Sequence, residues 1–300
     1  MRRFGLVVLL ILGLCAVGGY QAIRSMDVTR VTDDVHVILG QGSNVGVLRT
    51  PAGAVVVDTM AFTMQGRHIR ELAEALGGGP VQAVINTHYH WDHTHGNPGF
   101  ASGSRVIATD RTLHYLTTAD ADYWTRGAEG TLPSETFEDE IVLRVGGKAL
   151  HLLHPGRGHT DGDLVVLFVE DRVLHTGDLF FNGRYPNIDL EGGGSVQEWV
   201  ATLDRVLELE FDHVIPGHGP VTDREGLVAF QDFMRQLAAV GATAKRQGRT
   251  LDQTLASAAL DADAGYETTY IPFVLDLNRA FVIRRAWEES HGAFVRLPVD

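Results

Sequence analysis

For its first 220 residues the chain sets short apolar runs of strand length between polar turns. Residues 35–39 and 45–48 flank the turn at 40–43, which predicts two antiparallel strands within residues 28–50. Pro51-Ala52-Gly53 is a second turn, and residues 54–58 form a buried strand ending in a carboxylate. Residues 67–76 repeat apolar side chains at helical spacing (Ile69, Leu72, Leu76), and Gly77-Gly78-Gly79-Pro80 stops the helix. Residues 81–86 return as another buried strand. Strand, helix, strand is the βαβ logic of a layered α/β fold.

Further strands are predicted at 105–109 and 164–168, a hairpin at 141–145 and 149–153 across Gly146-Gly147, and a helix beginning at 111–117. Residues 119–138 are polar, hold Tyr123 and Trp124 and have little periodicity; they read as a long loop over a site mouth. Ser195-Val196-Gln197-Glu198 has the form of a capping box opening an amphipathic helix over 199–209. From Thr222 the pattern changes. Thr222-Asp223-Arg224-Glu225 reads as another capping box before a helix at 226–247, and Thr250 to Gln253 caps a short one. Ile271, Val274, Leu277, Phe281 and Ile283 predict a helical stripe, and no strand signal returns. The chain therefore divides into a catalytic domain over 23–222 and an all-helical C-terminal extension over 223–300. An apolar helical stripe packs on its own core by default, with a partner or a dimer as the other uses.

The chemistry concentrates where residues 81–86 end. Thr87-His88-Tyr89-His90-Trp91-Asp92-His93-Thr94-His95-Gly96 puts five metal-ligand side chains in eight residues. His88 and His90 are two apart, so an extended backbone points both imidazoles to one side. Asp92 and His93 are adjacent and cannot share that direction, which suits a second metal or a supporting role. Imidazole and carboxylate without cysteine suit zinc, iron or manganese. Three later strand ends carry more of the same ligand types: Gly158-His159-Thr160-Asp161-Gly162-Asp163, then Asp178 after residues 173–177, then His218 in Pro216-Gly217-His218-Gly219. Strand-end loops are where a rigid scaffold presents chemistry.

With these motifs in this order, the chain resembles the metallo-β-lactamase superfamily over about residues 28–221: Asp58, the H-x-H-x-D-H run at 88–93, His159, Asp178 and His218. The resemblance implies a four-layer αββα sandwich. It implies one metal on His88, His90 and His159, a second on Asp92, His93 and His218, and Asp178 bridging them. The cofactor would be two zinc ions, with iron or manganese also compatible. Asp92 and Asp58 are the candidate catalytic carboxylates, Asp92 by orienting a metal-bridging hydroxide or taking its proton, Asp58 by fixing the ligand loop. True β-lactamases of the superfamily lack the bridging aspartate, so Asp178 aligns the chain with glyoxalase II, the lactonases and the cyclase-like hydrolases. Lys245, Arg246 and Arg249 make only a sparse basic cluster for glutathione, and His90 stands where a flavodiiron reductase has glutamate. The implied reaction is hydrolysis of an ester, thioester, lactone or amide. The alternatives are a mononuclear iron sulfur oxygenase using His88, His159 and Asp178, and a non-catalytic accessory protein of an exported redox system.

Phe180 to Asn187 begins two residues after Asp178, so Phe181, Arg184 and Tyr185 are candidate substrate contacts; a packed loop with Phe180 in the core is the other reading. His95 lies two residues past the motif, as a proton shuttle, a substrate contact or a structural side chain. His154, His175 and His213 read as structural.

Charge and the N-terminus set the location. A formal charge of −13 argues against a nucleic-acid partner and favours a small-molecule substrate. Met1-Arg2-Arg3 precedes sixteen uncharged residues, 4–19, short of the ~20 of a spanning helix. Residues 1–22 thus read as a signal peptide, with Ala16-Val17-Gly18 as the cleavage site, or else as a membrane anchor. Either predicts a periplasmic or secreted protein, or one anchored at the inner membrane and facing the periplasm. Cys15 is the only cysteine, so no disulfide framework is possible, and Leu14 before it does not suit a lipoprotein. Oligomers would form through the C-terminal helices.

Overall fold

Two sheets stand face to face, and helices cover the outer face of each. The computed structural model describes residues 25–100 and 104–294. The signal-peptide or anchor segment lies outside the described residues. Among the described residues the first sheet holds seven strands in chain order: β1 (Asp27–Arg30), β2 (Val35–Leu39), β3 (Val45–Thr50), β4 (Gly53–Val57), β5 (Val81–Ile85), β6 (Val106–Thr109) and β7 (Glu135–Phe137). They pair antiparallel up to β4 and parallel from there on. The second sheet contains β8 (Glu140–Val145), β9 (Lys148–Leu153), β10 (Val165–Phe168), β11 (Val173–His175) and β12 (His213–Ile215), in the order β12-β11-β10-β9-β8. Only its β11–β12 pair is parallel.

The helices are α1 (Thr63–Gly77), the single turn α2 (Trp91–Thr94), α3 (Asp110–Thr118), α4 (Val196–Leu207), α5 (Arg224–Arg246), α6 (Leu251–Ser257) and α7 (Arg279–His291). α1 crosses over from β4 to β5, as parallel pairing demands. Period-two alternation divides each strand between two cores. In β4, Val55 and Val57 meet Leu150, Leu152 and Val166 of the other sheet, whereas Ala54 and Val56 meet Ile69 and Ala73 of α1. On the far face of the second sheet, Val165, Leu167 and Leu174 pack under Trp199 and Leu203 of α4 and Phe230 and Met234 of α5. Each fully buried side chain of this size contributes about 1.5–3 kcal/mol. The result is the αββα sandwich, with helices of the C-terminal extension forming part of its fourth layer.

Gly78 ends α1 in the left-handed conformation, φ 65°. Thr250 and Gln253 form a reciprocal capping box on α6. The other two boxes differ from the expectation. Ser195 accepts from the Glu198 amide, but the Glu198 carboxylate turns outward to Arg157. On α5 the cap is Asp223, not Thr222, because its carboxylate reaches the Glu225 and Gly226 amides.

Two larger expectations are corrected. Residues 119–138 are not an open loop: helical turns Ala121–Tyr123, Trp124–Ala128 and Glu129–Thr131 lead into β7, with Trp124 buried. Trp124 packs with Leu116 and its indole donates to Asp120, an anchor that a polar average conceals. The extension is also not all-helical. Residues 269–277 form a hairpin, β13 (Thr269–Ile271) and β14 (Leu275–Leu277), so the expected stripe belongs to a helix only from Arg279. Phe273 in its turn takes φ 64°, which no helix allows.

Candidate metal centre

Four strands end at the centre, and His159 joins them from the loop between β9 and β10. Asp58 follows β4, residues 86–93 follow β5, Asp178 follows β11 and His218 follows β12. Both pairs, β4–β5 and β11–β12, are parallel, so these loops leave at their carboxyl ends, the usual site of chemistry in such sheets. The turn α2 begins directly after His90, which swings Asp92 and His93 away from the direction shared by His88 and His90. Gly217 has a compact backbone for a local reason: a Cβ there would strike the carboxylate of Asp178.

The seven ligand candidates converge. His88, His90 and His159 form one cluster, and Asp92, His93 and His218 form another. Asp178 lies between them. Its Oδ2 is 3.9 Å from His88 Nε2 and 3.5 Å from His159 Nε2, while its Oδ1 is 3.2 Å from His93 Nε2 and 3.3 Å from His218 Nε2. Asp92 Oδ2 is 3.4 Å from His218 Nε2. Within the first cluster His90 Nδ1 and His159 Nε2 are 2.8 Å apart.

A supporting layer turns four of the five imidazoles, His88 by the Thr87 hydroxyl at 3.1 Å from its Nδ1. Asp58, fully buried, accepts from the Thr87 amide and hydroxyl at 2.8 Å each and from His93 Nδ1 at 2.7 Å. Its own φ of 65° aims it there, a strained conformation that aspartate tolerates better than most residues. Asp58 therefore positions the ligand loop through Thr87 and His93. His159 Nδ1 donates to the Asn187 carbonyl at 2.9 Å, and His90 Nε2 to Asp189 Oδ2 at 3.0 Å. The Tyr89 hydroxyl also donates to Asp189, whose other oxygen accepts from the Gly192 amide at 2.8 Å.

Asp189 and Asn187 were not singled out from the sequence. The signal available was Gly192-Gly193-Gly194 just downstream, where a Cβ at Gly192 would collide with the Asp189 carboxylate.

Charge and burial show what the centre lacks on its own. His88 Nε2, His93 Nε2 and Asp178 Oδ1 are buried without a hydrogen-bond partner, although all point inward. Unpaired buried polar atoms cost about 1–3 kcal/mol each. A cation among them would satisfy all three, so the residues fit metal. Burial pushes His88 well below its ordinary pKa and takes His159 down to about 4. Burial acts the same way on His93 and His218, but carboxylates overrule it. Asp178, Asp58 and Asp92 hold His93 well above normal; Asp178 and Asp92 hold His218 at about 9. For His90, the bond to Asp189 outweighs burial and raises its pKa. Burial opposes ionisation of Asp92, yet His93 and His218 keep it charged, with a pKa of about 2.

A cavity of about 870 Å³ opens over His90, Asp92, Asp178 and His218. Phe181 lines it and stacks on the His218 ring at 5.2 Å, and Arg184 lines it while paired with Glu267 at 3.3 Å. Tyr185 does not reach it. Its ring packs against Phe233 and Tyr266, and its hydroxyl donates to Asp263, so it anchors the core and is no substrate contact. Phe180 packs on Phe230. His95 faces away from the cavity, bonded to Asp120 and stacked on Tyr123.

The sequence profile described as the metallo-beta-lactamase superfamily matches residues 39–218, more than half of the chain. The chain belongs to the metallo-beta-lactamase superfamily. It is 28% identical over 216 residues to the 2,4-dinitroanisole O-demethylase subunit alpha of Nocardioides sp. (strain JS1661), covering 69% of this chain and 63% of that one. It is 23% identical to the linear primary-alkylsulfatase of a Pseudomonas species, covering 60% and 42%. The chain thus spans less than two thirds of the length of these two relatives. Among solved structures, the DIM-1 metallo-beta-lactamase superposes with a TM-score of 0.60 at 21% identity, covering 70% of this chain and 97% of that one. That likeness concerns the sandwich. Beyond the profile match, which ends at His218, the superfamily member carries the extension with its hairpin.

Proposed function

We propose that this superfamily member is a metal-dependent hydrolase with two zinc ions, acting on an ester, thioester, lactone or amide of small-molecule size. The observation that carries the reading is Asp178, whose two carboxylate oxygens face opposite clusters at 3.2–3.9 Å. A bridging carboxylate between two imidazole sets is the donor arrangement of a two-ion hydrolytic site. Ions bound there would supply hydroxide near neutral pH and polarise the scissile carbonyl.

The chain's own groups do the rest. Asp92, ionised at neutral pH and open to the cavity, orients the attacking water or takes its proton. Phe181 fixes the ring of His218. Asp58 and Asp189 hold the imidazoles of His93 and His90 in the tautomers that present Nε2 and Nδ1, respectively, to the centre. The N-terminal segment supports an exported protein, and the acidic balance supports an uncharged or cationic small-molecule substrate.

Elemental analysis of the purified protein tests the reading, with His90→Ala and Asp178→Ala alongside. About two zinc per chain, falling in both variants, together with hydrolysis of model esters or lactones, is the expected result. About one iron per chain, kept in His90→Ala, would overturn it in favour of the sulfur oxygenase.

A further inference from the structure

We propose that the hairpin β13–β14 is the specificity wall of the site and receives the hydrophobic arm of an uncharged substrate. This rests on the hydrolase reading for its chemistry, but its evidence is separate.

The hairpin comes from the extension, outside the stretch that the superfamily profile covers. Ile271, Leu275 and Leu277 nevertheless line the same cavity as His90, Asp92 and His218. Leu39, Ala61 and Phe62 line it as well. Ile271 remains 39% exposed and Phe62 46%, so apolar surface is left open beside the reacting centre. Apolar surface kept open in a concave site is surface for a ligand to cover.

The wall is also held in place in advance. The Glu267 amide donates to the Gly183 carbonyl at 2.8 Å, and the Tyr185 amide to the Glu267 carbonyl at 3.3 Å. Arg279 and Tyr185 both bond Asp263, just upstream of the hairpin. The base of the hairpin is therefore fastened to the loop that follows Asp178.

Charge narrows the class. Among the described residues lining the cavity, Arg184 is the single Lys or Arg, and Glu267 already pairs with it. Away from the metal cluster, no unpaired cation awaits a substrate carboxylate or phosphate. A neutral ester or lactone with an alkyl or aryl arm matches both the apolar wall and this missing charge.

The test uses the zinc-loaded full chain. Butyrate and octanoate, as product-like carboxylates, are titrated calorimetrically, and p-nitrophenyl butyrate and octanoate are hydrolysed in parallel. Each buried methylene is worth about fourfold at most, so octanoate is expected to bind about tenfold or more tightly than butyrate. The preference should fall to within about twofold in Ile271→Asp and shrink in the milder Ile271→Ala, which covers the case in which the charged variant misfolds. Phe273→Asp, at the exposed tip and away from the cavity, should keep it. Equal affinities in the wild-type protein, or a full preference in Ile271→Asp and Ile271→Ala, would overturn the proposal. A clear octanoate preference with neither ester hydrolysed would count against the hydrolase reading and leave the wall standing.

Discussion

The two halves of the metal centre rest on different supports. Of Asp92, His93 and His218, His93 leans directly on Asp58, a fully buried carboxylate that follows β4 of the first sheet and also steadies His88 through the Thr87 hydroxyl. His88, His90 and His159 depend on the segment 187–192, where Asn187 and Asp189 turn two of the three imidazoles. That segment is gripped in turn by the last helix. Arg285 of α7 donates to the Ile188 carbonyl at 2.9 Å and pairs with Glu191. Glu289 accepts from the Ser195 hydroxyl at 2.5 Å. One half is anchored in the sandwich itself, the other through the extension. A ligand set that looks uniform in sequence therefore has two points of failure, joined at Thr87 and His88.

Asp178→Ala should erase the distinction, because Asp178 serves both halves. Both metals should be lost, and kcat/KM should fall about a thousandfold or more, as read by elemental analysis and ester hydrolysis. Asp58→Ala should strike chiefly the sheet-anchored half, with a smaller loss at His88 through Thr87. It strips three donors of their acceptor, so one metal should weaken by about 10–100-fold. Stability should drop by about 2–4 kcal/mol in denaturant titration. One tight ion per chain should remain; loss of both would mean that the halves are not separately supported.

Asp189→Ala should do the converse. The other metal should weaken by about 10–100-fold with a smaller change in stability, since Asp189 is nearer the surface. Arg285→Ala should act in the same direction and less strongly, by about threefold to tenfold, because it works through the loop. Competition with a metal-sensing chelator would read both, and an Arg285→Ala protein with unchanged affinities would detach the extension from the centre.

Acidification should sharpen the contrast by the smallest margin. Without metal, His218 holds its proton up to about pH 9 and His93 well above normal, and both protons must leave when an ion binds. In the other half His90 has a raised pKa, but His159, at about 4, is already neutral above pH 5. Affinity should fall as pH drops from 8 to 6 in both halves, more steeply for Asp92-His93-His218, by roughly one decade per pH unit for each proton displaced. Equal slopes would break the comparison.

The sequence carried the sandwich and the convergence of the candidate ligands well, for physical reasons. Strands buried on one or both faces leave apolar runs, as at 54–57 and 81–85, and ligands at strand ends cluster beside glycines. Support through the backbone leaves no such mark. The Asn187 carbonyl that turns His159 would be present with any side chain at that position. Asp189 was an ordinary loop aspartate until tertiary contact gave it His90 and Tyr89. The hairpin was hidden because Ile271, Val274 and Leu277 satisfy helical spacing by coincidence, while Phe273 takes a backbone conformation that spacing cannot express. Tyr185 misled in the other direction: adjacency to a wall residue in sequence placed its ring on the far side of the loop, in the core.

The clasp by α7 also sets an order of events in the life of the chain. Every ligand has been synthesised by His218, but Arg285 and Glu289 come more than sixty residues later. A growing chain would already own the sheet-anchored trio while its partner trio still lacked a brace. Arg285 and Glu289 therefore brace the second trio only once the tail has folded back onto residues 188–195.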